Sequence, residues 1–330
     1  MTTLEQRLDR QHPIPSGFTR ENQAAEILAG MDLKGKQVLI TGGYSGIGYE
    51  MSRAFSSAGA NVIIPARRPS LAVQNTKDLP GIRIVPGDLA DLRTVLTLVE
   101  KLSAERTVLD IVIGSAGIMA APESRIGDGW ESHFAINHLG HFALIGGLTS
   151  LLNESGSRVV MLSSAGHFAS GIRWPDIHFT TEPYDPWLAY GQSKTANALF
   201  AAELAERGKD KGVLAYSVHP GNIMTPLQRH LSIEDQIALG WVNQDGAPNP
   251  ALQLKTPAQG AATAVWAATS ERLADFSGVY AQDNDVARLS TDDNMVIGGV
   301  KSWAIDPEDS ARLWDYSVDI TGVRPWSEIN

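Results

Sequence analysis

Short runs rich in β-branched residues alternate along this chain with longer stretches whose apolar positions recur every three to four residues. The runs fall at 37–40, 61–64, 82–85, 109–113, 158–162, 214–218 and 278–281, and helix-type patterns occupy 47–58, 89–103, 129–152, 190–208 and 259–269. Apolar strands separated by amphipathic helices predict β-α-β units and a parallel sheet covered on both faces. Such connectivity winds into a doubly wound α/β sheet, here of about seven strands in one domain spanning 35–330.

Three segments stand outside that rhythm. Residues 1–34 read as an N-terminal extension carrying a packed helix at 17–33, with Thr19 as its cap and Ala24, Ile27 and Leu28 on one face. Residues 226–257 form an apolar, proline-flanked insertion before the last helix. A C-terminal helix is expected over 306–319, with Asp306 as cap, Pro307 at its first position and Leu313, Trp314 and Tyr316 for packing.

Composition narrows the function. The 330 residues are 43% hydrophobic, enough for a sizeable core, and carry a formal net charge of −10 with no lysine- or arginine-rich run. Binding to nucleic acid needs clustered positive charge, so that class is set aside. With no cysteine, thiolate catalysis, disulfides and cysteine-held metals are excluded. No segment has signal-peptide character and none is apolar over the ~18–20 residues of a membrane span. A soluble, cytoplasmic protein is expected.

The candidate chemistry begins at Thr41-Gly42-Gly43-Tyr44-Ser45-Gly46-Ile47-Gly48, between a predicted strand and a predicted helix. In that context glycines let the backbone approach a pyrophosphate, and the helix N-terminus offers it free N–H groups. The second strand ends at Arg67-Arg68 with no acid at its tip, which favours a ribose 2′-phosphate and hence NADP(H) over NAD(H). Asp88-Leu89 follows the third strand, where Asp88 either bonds an adenine amine or caps the next helix. Ser115-Ala116-Gly117 leaves room for a cofactor across the fourth strand's end. Tyr190 and Lys194 lie one helical turn apart, so a lysine charge can make a phenol more acidic.

In this order the motifs resemble the short-chain dehydrogenase/reductase family over about residues 36–225: the glycine turn, Asp88-Leu89, Ser115-Ala116-Gly117, Asn137, Ser164, Tyr190 with Lys194, and Pro220-Gly221. The stretches 137–142 and 158–167 are most similar to its retinol dehydrogenase-like and WW-domain oxidoreductase-like branch. The resemblance implies a Rossmann-type fold with Tyr190 as acid and base. It implies that Lys194 holds the nicotinamide ribose, Ser164 binds the substrate oxygen, and Asn137 holds a water of the proton relay. Ile223 and Thr225 are implied to meet the nicotinamide carboxamide. Ser163 rivals Ser164, although the second serine matches better.

Two departures stand out. Ser115 replaces the family's asparagine, leaving the brace of the fourth strand open. The segment between Ser164 and Tyr190, rich in His167, Phe168, Trp174, His178, Phe179 and Trp187, is long; it either walls the substrate cleft or covers the helix used elsewhere for oligomerisation. The quaternary state is therefore monomer or homodimer. His133, His138 and His141 lack the further ligand a zinc site needs, so no metal is expected. The reading is an NADP(H)-dependent oxidoreductase interconverting a hydrophobic ketone or aldehyde and its alcohol. The alternatives are a catalytically silent NADP-binding protein and, further off, a nucleotide-sugar epimerase.

Overall fold

Side chains alternate across a strand, and that alternation decides where this chain buries its apolar residues. In the computed structural model, which describes residues 2–327, Val38, Ile40, Ile111 and Ile113 enter one apolar layer, and Leu39 and Val112 the other. The main sheet contains β1 (Gln37–Ile40), β2 (Asn61–Ala66), β3 (Ile82–Pro86), β4 (Ile111–Gly114), β5 (Ser157–Leu162), β6 (Val213–His219), β7 (Tyr280–Gln282) and β8 (Asp285–Val286). Their spatial order is β8-β7-β6-β5-β4-β1-β2-β3. All pairings are parallel except β7 with β8. The order reverses at β1, between β2 and β4, and this opens a crevice at the strands' carboxyl ends.

The helices are α1 (Leu4–Arg10), α2 (Ala24–Ile27), α3 (Gly46–Ser57), α4 (Pro69–Thr76), α5 (Leu92–Ala104), α6 (Gly140–Gly147), α7 (Pro186–Gly208), α8 (Ile233–Ala238), α9 (Pro257–Thr269) and α10 (Pro307–Thr321). Phe55 of α3 and Trp266 of α9 fill one layer, and Phe142 of α6 and Phe200 of α7 fill the other.

The structure corrects several expectations. An eighth strand joins the seven. It follows a two-residue turn with Asp283 and Asn284 at φ 53° and 63°, a left-handed geometry these residue types tolerate. A helix over 17–33 is absent; the chain makes only the single turn of α2, capped from Gln23, while Thr19 N–H bonds Asn22 Oδ1 at 2.8 Å. The sequence also hid α1, closed by a Thr3–Gln6 capping box. Beyond it, the Gln11 side chain bonds the Tyr280 N–H and the Tyr280 and Ala287 carbonyls. The pattern at 129–152 resolves into a hairpin (Arg125–Ile126 with Trp130–Glu131), a π-helical turn (Phe134–Leu139), α6 and a 3-10 turn (Thr149–Leu151). The C-terminal helix starts at Pro307 with Asp306 as cap and runs on to Thr321, where Gly322 ends it in a left-handed conformation.

The long segment before Tyr190 covers α7. Gln192 bonds the Arg173 N–H and the Ile177 carbonyl, Ile172 and Ile177 pack with Leu199, and Trp174 reaches Asp309 of α10 at 2.8 Å. Every residue of α7 from Ala189 to Ala205 is buried.

Burial also governs four histidines. It pushes His138 and His219 down to about 3, and His141 and His167 down to about 4. All four are therefore neutral in the fold but titrate near 6.5 once unfolded. The unfolded chain binds more protons between about pH 4 and 6.5, so stability must fall as pH drops through that window. We expect a loss of about 1 kcal/mol per histidine between pH 7 and 5.5. Thermal unfolding at the two pH values tests this, and His138→Leu should remove one part of the loss.

Candidate active site

The glycine turn is dictated by close approach. A Cβ on Gly48 would lie 2.3 Å from the Gly42 carbonyl oxygen, so only glycine lets α3 start where β1 ends. Ser45 precedes the helix without using its hydroxyl as a cap. The Thr41 hydroxyl accepts from Ser115 N at 2.8 Å and Ala116 N at 3.0 Å. It thereby braces β4 where Ser115 has replaced the longer asparagine.

A cavity of about 610 Å³ opens over these strand ends. Gly42, Ser45, Gly46, Ile47, Gly48, Ser115, Ala116, Gly117, Ser164, Tyr190, Lys194, Pro220, Gly221, Ile223 and Thr225 all line it. Six expected site residues do not. Tyr44 packs against the core behind the turn, with its carbonyl bonded by Asn75. Arg67 and Arg68 are exposed past β2, and Arg68 stands at the N-terminus of α4. Leu89 is half-buried against the core. Asp88 accepts from Ala90 N at 3.0 Å, but the cap of α5 is Asp91, which corrects that half of the expectation. Asn137 sits behind the wall.

On α7, Tyr190 and Lys194 are presented by a buried helix that Asp185 caps and Pro186 opens. Gly166 admits the phenol ring, since a Cβ there would lie 2.6 Å from it. Ser164 lies two residues past β5, and its hydroxyl accepts from Gly166 N at 3.0 Å and stands close enough to the Tyr190 phenol to oppose the effect of burial on it. The rival Ser163 is spent on the Lys194 carbonyl at 2.8 Å. Lys194 Nζ donates to the Leu162 carbonyl at 3.1 Å.

In the protein alone, burial dominates the acidity of the phenol. Burial pushes Tyr190 up to about 12, opposed only by the Ser164 hydrogen bond, while Lys194 is pushed down to about 8 by its own burial. The ammonium stands 5.6 Å from the ring centroid. The protein alone therefore keeps the phenol protonated, which suits a proton donor.

The Asn137 side chain is bonded within the protein. Its Nδ2 protons go to the Ile118 carbonyl and Ser193 Oγ, and its Oδ1 accepts from Ile118 N. The side-chain amide orders the chain after β4. Among the described residues no three His, Asp or Glu side chains gather as metal ligands.

The site fits a nicotinamide nucleotide. The primary amide of Gln228 donates to the Ile223 carbonyl at 2.7 Å and accepts from Thr225 N at 2.8 Å, so this pair is disposed to receive a carboxamide. The glycine turn leaves backbone open at the start of α3 for a pyrophosphate. Sequence reasoning missed Arg229, which lines the cavity from the insertion and lies close enough to Arg67 and Arg68 to feel both charges. It missed Met119 and, from a distant loop, Met295 and Val296, which complete the apolar wall with Trp187, Leu227 and Trp241. No local pattern marks those positions; only the insertion's apolar character hinted at them.

A parallel sheet with this order and a Ser–Tyr–Lys cluster beside a glycine turn defines a nucleotide-dependent oxidoreductase class. The family described as short chain dehydrogenase matches residues 36–236. A protein named as a probable oxidoreductase from Streptomyces lividans is 42% identical over 293 residues, covering 88% of this chain and 98% of that one. Mouse retinol dehydrogenase 11 is 35% identical over 301 residues, covering 89% and 88%. A solved structure of an uncharacterized protein from Mycobacterium paratuberculosis superposes with a TM-score of 0.69 at 27% identity, over 93% of this chain and 98% of that one. The chain belongs to the short-chain dehydrogenase/reductase family, in its retinol dehydrogenase-like branch, and is an oxidoreductase that uses a nicotinamide nucleotide. No helix among the described residues is long and apolar enough to cross a membrane.

Gly48→Ala should weaken nicotinamide-nucleotide binding more than tenfold, because the added methyl collides with backbone. Fluorescence titration with NADPH reads the change; wild-type affinity would show that α3 can shift and the turn is not the cradle.

Proposed function

We propose that the chain is an NADP(H)-dependent enzyme that interconverts a hydrophobic ketone or aldehyde and its alcohol. The observation that carries this reading is the convergence of Ser164, Tyr190 and Lys194 on a cavity whose far walls are apolar. When bound, the nicotinamide supplies or accepts a hydride, and its oxidised ring adds positive charge near Tyr190. In reduction, the Tyr190 hydroxyl gives its proton to the carbonyl oxygen and Ser164 hydrogen-bonds that same oxygen. In alcohol oxidation Tyr190 takes the proton back, which requires its acidity to rise above that of the protein alone. Lys194 holds the ribose hydroxyls. Asn137 contributes by fixing the backbone at Ile118.

Preference for the 2′-phosphate rests on Arg67, Arg68 and Arg229. Among the described residues none of the three has a carboxylate within ion-pair distance. Asp88 is placed to meet the adenine. For the substrate, the cavity wall contributes no carboxylate, and Trp187 and Trp241 meet edge to face, ring centroids 5.8 Å apart, beside Tyr190. Bulky apolar carbonyls, of the size the name retinol dehydrogenase indicates for that relative, fit such walls.

Absorbance loss of NADPH with a panel of aryl ketones, steroid ketones and retinoid aldehydes tests the reading. Turnover is expected with at least one, and Tyr190→Phe should lower kcat/KM by at least ~100-fold. Undiminished turnover in the folded variant would sink the mechanism. Intact NADPH binding without turnover on any substrate would favour a cofactor-binding protein without catalysis.

Arg67→Ala should weaken NADPH about tenfold or more, the scale of a lost charge-assisted bond, while NADH affinity stays within about twofold. Equal losses for the two nucleotides would remove the phosphate assignment.

A further inference from the structure

The segment that follows β4 runs along the cavity beside Tyr190. Met119 lines the cavity, and Met119 and Ala120 share one apolar cluster with Tyr190, Trp187 and Trp241. Ala120 has φ 47°, a left-handed backbone that alanine adopts only when its neighbours impose it. Both flanks are fixed through backbone groups. On one side the Asn137 amide takes the N–H and the carbonyl of Ile118, at 2.9 and 3.0 Å. On the other, His133 Nε2 accepts from Ala121 N at 3.1 Å and the Tyr184 hydroxyl donates to the Ala121 carbonyl at 2.9 Å.

The second grip rests on a buried carboxylate. Because His133 Nε2 accepts, its proton sits on Nδ1 and goes to Glu131 Oε1 at 2.8 Å. Glu131 is completely buried. It also accepts from His133 N and Phe134 N, both at 2.8 Å. Burial alone would raise this carboxyl, but the bonds from His133 and Phe134 hold it below its ordinary value, so it stays an acceptor. Burial beside that carboxylate raises Tyr184, so its hydroxyl stays a donor. The tautomer, the carboxylate and the phenol are thus each fixed in the form the clamp requires. Tyr184 is seated by the edge of Phe179, ring centroids 5.4 Å apart, and Arg125 ties down the Phe179 carbonyl at 2.9 Å.

We propose that Glu131, His133 and Tyr184 are positioning residues that clamp Ala121, hold Ala120 in its left-handed conformation, and so set the Met119–Ala120 wall against which the substrate carbonyl is placed at Tyr190. The proposal rests on the reading of this cavity as a carbonyl-reducing site. None of the three residues touches the reacting atoms. Their effect is on substrate placement beside Tyr190, not on the glycine turn that cradles the nucleotide.

Tyr184→Phe and His133→Leu test it with two readouts. The KM for a bulky carbonyl should rise at least tenfold, with kcat within threefold and the NADPH dissociation constant within twofold of wild type. Amide exchange of Ala121 should accelerate at least tenfold in His133→Leu, and His133→Gln, which keeps an acceptor and a donor, should restore part of both losses. Released exchange with an unchanged KM overturns the proposal, as does a joint collapse of kcat and NADPH binding, the mark of a general structural role. If the wild-type chain reduces no carbonyl, the enzymatic reading falls; slow Ala121 exchange in every variant separately overturns the clamp.

Discussion

One hydroxyl joins the three segments on which this site depends. Thr41 ends β1, accepts from two successive N–H groups at the end of β4, and meets His141 Nε2 at 2.8 Å. His141 Nδ1 bonds the Asn137 carbonyl, so its proton is on that nitrogen and Nε2 accepts the threonine proton. The hydroxyl therefore uses its one proton and both lone pairs. This satisfaction requires a neutral imidazole, and burial supplies it by pushing His141 down to about 4. The crevice between β1 and β4 follows from sheet order, and this contact ties its two strand ends together.

The same burial that fixes the joint sets the electrostatics of the cavity. Both Tyr190 and Lys194 are shifted toward their neutral forms, and no carboxylate lies among the cavity-lining residues to offset a charge. In a poorly screened site, an added positive charge acts on the phenol far more strongly than it would in water. Such a site holds the phenol as a proton donor until charge arrives. Presentation from a helix buried from Ala189 to Ala205 keeps the two side chains from relaxing away from one another.

The sheet was legible because parallel strands buried on both faces leave apolar runs that no other element explains, and the glycine turn because Gly48 is forced by contact. Ser164, Tyr190 and Lys194 came from spacing together with family resemblance, and the structure does bring them together. What stayed hidden depends on partners far along the chain. The turn at Phe134–Leu139 takes one extra residue, and nothing in its composition announces a π-helical bond pattern. Asp88 and Asp91 are equivalent caps on paper; the backbone selects Asp91. Arg229 reaches the arginine pair, and Met295 the cavity, only after distant loops have folded over the sheet. The pattern shows a lysine one turn from Tyr190 but not the burial that raises the phenol in the protein alone.

A division of labour follows from where each wall originates. The residues proposed to react and to cradle the nucleotide stand on strand ends and on α7, locked by the shared joint and by an approach of Gly48 to Gly42 too close for any Cβ. The outer walls come from the insertion and from the loop carrying Met295 and Val296, which keep 40% and 49% of their surface exposed. Few buried contacts hold these segments, so they can change shape or sequence at little cost to the sheet. Between the two sits the Met119–Ala120 wall, strained at one residue and pinned on both flanks. On the proposed reading, substrate range can therefore drift through the outer loops, whereas the wall beside Tyr190 is bound to the fold itself.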